Sequence, residues 1–348
     1  MSQEATTTST PKPALQAAGH SGVSQSESGE IFFKPSDLAE VEFYKKVSAD
    51  HPELQEIVPT FYGILTEGNN IINAENVQPE LIVVSETPKE SPGAKKKKEH
   101  VLALKSSLYG FDEPCILDVK LGHILWDDNA AQEKRDRLDE VARTTTSGSL
   151  DMRLTGMNVY YDGKPEGERV DFGKNYGRDL TAESFADGLA KYFVRETTGN
   201  KISEETRAYY KYALYYFVNR LKRVAELLQQ KSFVMRGASL LFVYEGNAET
   251  VQKKLNQLEK AQELERAAEA VEEVAEELEE LENELEEEEE EEELTAQDIQ
   301  DQLFKLDLID FAHTKFLEEE AGPDADVLRG ISILTDVFQD YHDKIHEW

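Results

Sequence analysis

Cys115 is the only cysteine in 348 residues. Its solitude excludes an intrachain disulfide, a thiolate zinc cluster and a dithiol redox pair, so a reducing compartment is the expected setting. Basic residues are outnumbered, with 38 Lys and Arg against 71 Asp and Glu, for a formal net charge of -33. Direct nucleic-acid binding is not expected of such a chain. No uninterrupted apolar run reaches the roughly 18 residues that cross a bilayer, and Met1 to Gln16 is polar, without a hydrophobic signal core. The expectation is a soluble intracellular protein with no membrane span.

What is present supports a sizeable core: 39% of residues are hydrophobic and 9% aromatic, enough for one large or two ordinary domains. The acidity is concentrated. Glu259 to Glu293 holds 20 Glu against Lys260 and Arg266, a net -18, leaving -15 for the rest of the chain. Within it Leu264, Ala267, Val271, Val274, Leu278, Leu281 and Leu285 recur at steps of three and four. Glutamates flank almost every one, so a parallel self-pair would repel, and the pattern predicts a single acidic helix fraying into Glu286 to Glu293. Such a segment serves either to bind basic partners or as a solvated spacer. The run Lys95 to Lys98 reads equally as a nuclear-import patch or a flexible linker.

Along the chain, residues 1–14 are rich in Ser, Thr and Pro and are expected to be a disordered tail. A strand "EIFFKP" precedes a helix "PSDLAEVEFYKKVSAD", whose Leu38, Val41 and Tyr44 follow a helical face. Strand candidates "PTFYGIL" and "PELIVVSE", a charged linker and a strand "VLAL" complete a small lobe. Then come the strand "EPCILDVKLG", a basic helix from Asn129 to Arg143, a polar turn "TTTSGS" and a strand pair "LDMRLTGMNVYY". A long helix without Gly or Pro covers about Ser203 to Lys231 and leads into "ASLLFVYEG". A strand "LFKLDLIDFAHT" and a closing helix from Asp324 follow the acidic insertion. The pattern predicts a two-lobed α+β protein.

The strand at 114–121 carries the first chemical signal. Side chains at i and i+2 share a face, so Ile116, Asp118 and Lys120 point one way and Cys115, Leu117, Val119 and Leu121 the other. A charge left unpaired in a core costs several kcal/mol, so the charged face meets water, a partner charge or a ligand. A plain solvent-exposed strand is one reading and a site the other. In "LFKLDLIDFAHT", Leu306, Leu308 and Asp310 share a face and His313 follows closely. Two apolar strands that each deliver an acid suggest a cleft for metal and phosphate chemistry. Lys34 ends a small-lobe strand, preceded by Gly19 and Gly22 in a loop able to approach a nucleotide. The set resembles the parts used in phosphoryl transfer.

With these residues in view, the chain resembles the inositol polyphosphate kinase family. "PCILDVKLG" matches its P-x-x-x-D-x-K-x-G signature through Pro114, Asp118, Lys120 and Gly122. "AGHSG", "FFKP", "EFY", "SLLFVYEG" and "LIDFAHT" follow the family order over residues 17–340, and "EKRDRLDEVARTTTSGSLDMRLTGM" most resembles the fungal multikinases. The resemblance implies an α+β two-lobed fold, similar to protein kinases, ATP-grasp proteins and SAICAR synthase. A small lobe over 15–104 and a large lobe over 105–348 would hold ATP between them, the acidic insert lying at about 250–297.

It also implies roles. Lys34 would contact the ATP phosphates, Glu42 would steady it, and the backbone of Ala103, Leu104 and Lys105, with Ser106, would meet the nucleotide. Asp118 would act on the attacking hydroxyl, as base or as orienting acceptor, and Lys120 would hold the transferred phosphate and a substrate phosphate. Asp310 and Ser239 would support the metal, magnesium or alternatively manganese. Lys134, Arg137, Arg153 and His313 would meet the inositol phosphate, which needs several fixed cations on an acidic protein. Lys105 and Ser106 depart from the family's usual hinge, and Asn158 stands where a basic residue is common. The implied activity is conversion of inositol trisphosphate to tetrakis- and pentakisphosphate at the 6- and 3-hydroxyls, by a monomer of nucleus and cytoplasm, with basic nuclear proteins as partners of the insert. A hexakisphosphate kinase, a trisphosphate 3-kinase and an acidic scaffold are the alternatives.

Overall fold

The computed structural model describes residues 12–13, 22–65, 71–72, 100–161, 168–193, 202–278 and 294–348. The chain opens with β1 (Lys12–Pro13), β2 (Ser24–Gln25) and β3 (Ile31–Ser36), then α1 (Leu38–Asp50), β4 (Phe61–Leu65), β5 (Ile71–Ile72) and β6 (His100–Lys105). These strands form one antiparallel sheet in the order β1-β2-β3-β6-β4-β5. Asp37 starts α1 by accepting from the Glu40 backbone N–H, satisfying one of the first-turn donors that a helix leaves open. Leu38, expected on the inner face, is half exposed; the buried face is Glu40, Val41, Phe43, Tyr44 and Val47.

Next come β7 (Pro114–Leu121), α2 (Gln132–Arg143), α3 (Thr146–Leu150), β8 (Met152–Tyr161), β9 (Glu168–Phe172), α4 (Lys174–Asp179) and α5 (Phe185–Ala190). The expected polar turn at "TTTSGS" contains α3, because Thr145 caps the Ser147 N–H and begins a helical turn. The expected strand pair at 150–161 is one ten-residue strand, β8, bound by β7 on one side and β9 on the other.

The long helix α6 (Glu204–Gln229) is followed by β10 (Phe233–Met235), β11 (Ser239–Glu245), α7 (Ala248–Leu278), α8 (Ala296–Gln300), β12 (Phe304–Ile309), β13 (Thr314–Phe316) and α9 (Ala325–Lys344). A second antiparallel sheet runs β12-β11-β7-β8-β9, and β10 pairs with β13. Helices α6 and α9 close over the second sheet through Phe217, Phe242 and Phe338, with Phe242 and Phe338 ring centroids 5.2 Å apart. Burying each such ring contributes about 1.5–3 kcal/mol. Cys115 lies in this core and burial pushes its thiol up to about 12, which removes it as a nucleophile.

The acidic helix begins at Ala248, before the Glu-rich run, because Val251, Leu255 and Leu258 pack on the body. Of the tail expected over 1–14 only Lys12–Pro13 are described, as β1 paired with β2; its other residues, the strand candidate at 79–86, the lysines at 95–98 and the glutamates at 279–293 lie outside the described residues. No described helix is long and apolar enough to cross a membrane.

Candidate active site

Strand β7 is buried along its length except at Lys120, so Asp118 is carried in a covered strand rather than on an open face. Directly opposed residues of antiparallel strands project to the same side. Lys120 is opposed by Arg153 on β8 and by Ser239 on β11, and Ser239 is opposed in turn by Ile309, the residue before Asp310. One row across the sheet therefore presents Arg153, Lys120 and Ser239, with Asp310 at its end. A bulge between Asp118 and Val119 leaves Thr155 as an extra residue of β8, and its hydroxyl donates to Asp118 Oδ1 at 2.5 Å. Asp310 lies just past β12 with φ of 69°, so the turn and not the strand's alternation aims its carboxylate.

These side chains line a cavity of about 200 Å³, which also takes in Lys174 and Arg178. Both come from α4 at an i, i+4 spacing that puts them on one face of the helix. Gly177 between them presses on β8: a Cβ there would lie 1.8 Å from the Leu154 carbonyl oxygen, so only glycine permits the approach. Four cations (Lys120, Arg153, Lys174 and Arg178) thus face two carboxylates. Lys120 Nζ donates to the Gly237 carbonyl at 2.6 Å, and an ammonium has two further protons to give.

The electrostatics follow from this placement. Burial, and then the neighbouring charge of Asp310, push Asp118 above the usual carboxylate range, against the pull of Lys120 and the hydroxyls of Thr155 and Ser239. Burial and Arg178 weaken the hold of Arg153 on its proton, the mark of cations gathered without enough counter-charge. A bound polyanion would relieve that crowding.

Lys34 reaches the same place from the other sheet. Its Nζ lies 2.6 Å from Glu40 Oε1 and 2.6 Å from Asp310 Oδ1. Burial opposes the charge, but Asp310 and Glu40 outweigh it and hold the ammonium well above its ordinary range. Glu40 is fully buried and also accepts from Ser36 Oγ and, at 3.0 Å, from the Phe311 N–H. The expected partner, Glu42, is half exposed on the other side of α1 and pairs with Lys45 at 3.3 Å. Glu40 therefore replaces Glu42 beside the lysine.

At the hinge, Ala103 and Leu104 are bonded into β6 between β3 and β4. The Lys105 N–H donates to the Thr60 carbonyl and the Ser106 N–H to that of Glu30. The first hinge amide without a partner among the described residues is that of Ser107, whose hydroxyl is held by Asp307 at 2.6 Å. Lys105, Ser106 and Ser107 also line a second cavity of about 450 Å³ with Thr60, Tyr109 and Asp307.

Three expected substrate residues do not line this cavity. Arg137 is exposed on α2. Lys134 and His313 meet each other instead at Asp127, 3.2 Å and 3.7 Å from its Oδ2. Asn158 is held by Arg169 at 2.9 Å, and that guanidinium also grips Glu113 and the Pro114 carbonyl.

The model of the family described as "Inositol polyphosphate kinase" matches residues 101–339. The chain belongs to the inositol polyphosphate kinase family. Within it, the inositol polyphosphate multikinase of Saccharomyces cerevisiae is 33% identical over 94% of this chain and 97% of its own length. That of Schizosaccharomyces pombe is 33% identical over 66% and 78%. The crystal structure of the S. cerevisiae multikinase in complex with ADP and Mn2+ matches with a TM-score of 0.58 and 27% identity, covering 90% of this chain and 99% of that one. This family member is a kinase, and the matched span holds every residue of the cavity. Lys34 and Glu40 lie before that span and join the site through Asp310 and Phe311.

Proposed function

We propose that this kinase is an ATP- and magnesium-dependent inositol polyphosphate multikinase that carries inositol trisphosphate to the tetrakis- and pentakisphosphate by acting on its 6- and 3-hydroxyls. The observation that carries the reading is the cavity itself: one buried carboxylate, Asp118, stands among Lys120, Arg153, Lys174 and Arg178. Phosphoryl transfer requires positioning and charge neutralisation more than covalent help from the protein, and this is a set suited to both.

In this mechanism the substrate hydroxyl donates its proton to Asp118, which with Asp310 is one of two carboxylates lining the cavity among the described residues. Thr155 fixes its orientation, and its raised proton affinity suits it to accept that proton. Lys120 meets the transferred phosphoryl group, and Arg153, Lys174 and Arg178 hold the phosphates already on the ring. Lys34, kept in place by Glu40, meets the nucleotide phosphates, and the Ser107 N–H is the open hinge donor for the base.

The residues present fit a divalent cation. Ser239 Oγ is buried, makes no hydrogen bond of ordinary geometry among the described residues although it favours the charged form of Asp118, and lies in the cavity with Asp310, so both donors are hard oxygens. When bound, such a cation neutralises charge on the phosphoryl oxygens. The proposed locations are nucleus and cytoplasm, with basic nuclear proteins as proposed partners of the Glu-rich segment. If partner capture survives deletion of residues 259–293, that part of the proposal fails.

Incubation of the protein with ATP, magnesium and inositol 1,4,5-trisphosphate, followed by anion-exchange separation, tests the activity. Sequential appearance of tetrakis- and pentakisphosphate supports the reading. A product that stops at the tetrakisphosphate makes it a single-step kinase and contradicts it.

A further inference from the structure

Asp127 is the carboxylate around which two basic groups from distant parts of the chain meet. The turn after β7 fixes it: Oδ1 accepts the Asn129 N–H at 3.0 Å, and its own carbonyl accepts the Ala130 N–H at 2.9 Å. Arg135 locks that turn onto α2 by donating to the Ala130 carbonyl at 2.8 Å and to that of Asp128, with its guanidinium 4.6 Å from the Trp126 ring centroid. The carboxylate is mostly buried, at 15% side-chain exposure, whereas Lys134 and His313 are 43% and 42% exposed. Burial works against its charge, but Lys134 and His313 together hold Asp127 below the usual carboxylate range.

The pair lies beside the reaction. His313 follows Asp310 by three residues and accepts the Arg236 N–H on its carbonyl at 3.2 Å; the next residue, Gly237, receives Lys120 Nζ at 2.6 Å. A short chain of contacts therefore joins Lys120 in the cavity to Lys134 on α2, with Asp127 closing it.

We propose that Asp127 is a positioning residue for the substrate: it holds Lys134 and His313 side by side at the edge of the catalytic cavity, so that the two together meet one phosphate of the inositol ring. This rests on the inositol phosphate reading above. A free lysine side chain loses rotamer entropy when it is ordered. A fixed carboxylate meets that cost before the substrate arrives, which is preorganisation.

Steady-state kinetics of wild type, Asp127→Asn, Lys134→Met and the double variant test it, with inositol 1,4,5-trisphosphate and ATP varied separately. Asparagine keeps the acceptor for the Asn129 N–H and loses the charge that orders the pair. The expected result is a KM for the inositol phosphate raised by about fivefold, the scale of one weakened charge-assisted contact. kcat and the KM for ATP should stay within about twofold, and the effect should shrink when Lys134 is already methionine, as coupled residues require. Asp127→Glu should recover part of the loss. An unchanged inositol phosphate KM, parallel losses in both KM values, or full additivity with Lys134→Met would overturn the inference alone. A wild type without turnover on inositol trisphosphate would overturn the functional reading and the inference with it.

Discussion

Lys34 Nζ and Asp310 Oδ1 meet at 2.6 Å although 276 residues separate them. Lys34 lies within β3 of the first sheet and Asp310 just past β12 of the second, so their contact ties the two sheets beside the cavity. Glu40 takes the other side of the ammonium, and the three charges form a buried row whose outer member faces the cavity.

That arrangement separates two neighbouring glutamates. Glu40→Ala leaves Lys34 without its buried partner and deprives the Phe311 N–H of its acceptor, at a cost of about 3 kcal/mol, the scale for breaking a buried pair. Glu42→Ala should stay within about 0.5 kcal/mol, as surface changes do. Urea denaturation measures both, and the KM for ATP should rise only in the Glu40 variant.

Asp118→Asn should lose activity and gain stability, because the wild-type site holds a carboxylate that burial disfavours. The sign follows from the raised proton affinity of the folded state. At a pH below about 4, the unfolded carboxyl range, Asp118 is neutral in both states and asparagine gains nothing. The penalty develops as pH rises from there through the raised folded value and is constant above it, so the advantage of the variant in thermal melting should grow from acid pH and then level off. A variant less stable than wild type at pH 8 would contradict this.

The Thr155 hydroxyl favours the charged form of Asp118, so Thr155→Val should push the proton affinity up further. The acid limb of the pH profile of kcat should then move to higher pH. No movement, or movement toward acid, would mean that the limb belongs to another group.

Much of the site is legible along the chain, for physical reasons that differ by residue. Asp118 and Lys120 stand out because a strand's two-residue period puts both on one side of an apolar run. Glu40 shares a helical face with Tyr44 and Val47 at steps of four and seven, a period that would have singled it out over Glu42. Asp310 fits the alternation of β12 on paper, but a left-handed turn determines where it points. Lys174 and Arg178 sit on a six-residue helix, too short for a periodic signal, and reach the cavity only through the tertiary contact at Gly177. The Ser107 amide is a backbone donor without a partner among the described residues, while the N–H groups of its two predecessors are used, and no side-chain pattern announces it.

Arg178→Ala and Lys174→Ala should each raise the KM for the inositol phosphate by about tenfold, the worth of a charge-assisted hydrogen bond to phosphate. Arg143→Ala, which removes an exposed arginine already paired with Glu140, should change neither KM. Equal effects from all three would mean that net charge, and not the cavity, recruits the substrate.

The central claim is that phosphoryl transfer to an inositol phosphate takes place in the cavity around Asp118. Product formation from inositol 1,4,5-trisphosphate by wild type and Asp118→Asn, in parallel with their melting curves, tests it most directly. The account predicts turnover by wild type and a loss of at least about a thousandfold in a variant that melts no lower, since general-base catalysis contributes up to about 10⁴-fold. Asp118→Asn turnover within tenfold of wild type would contradict it.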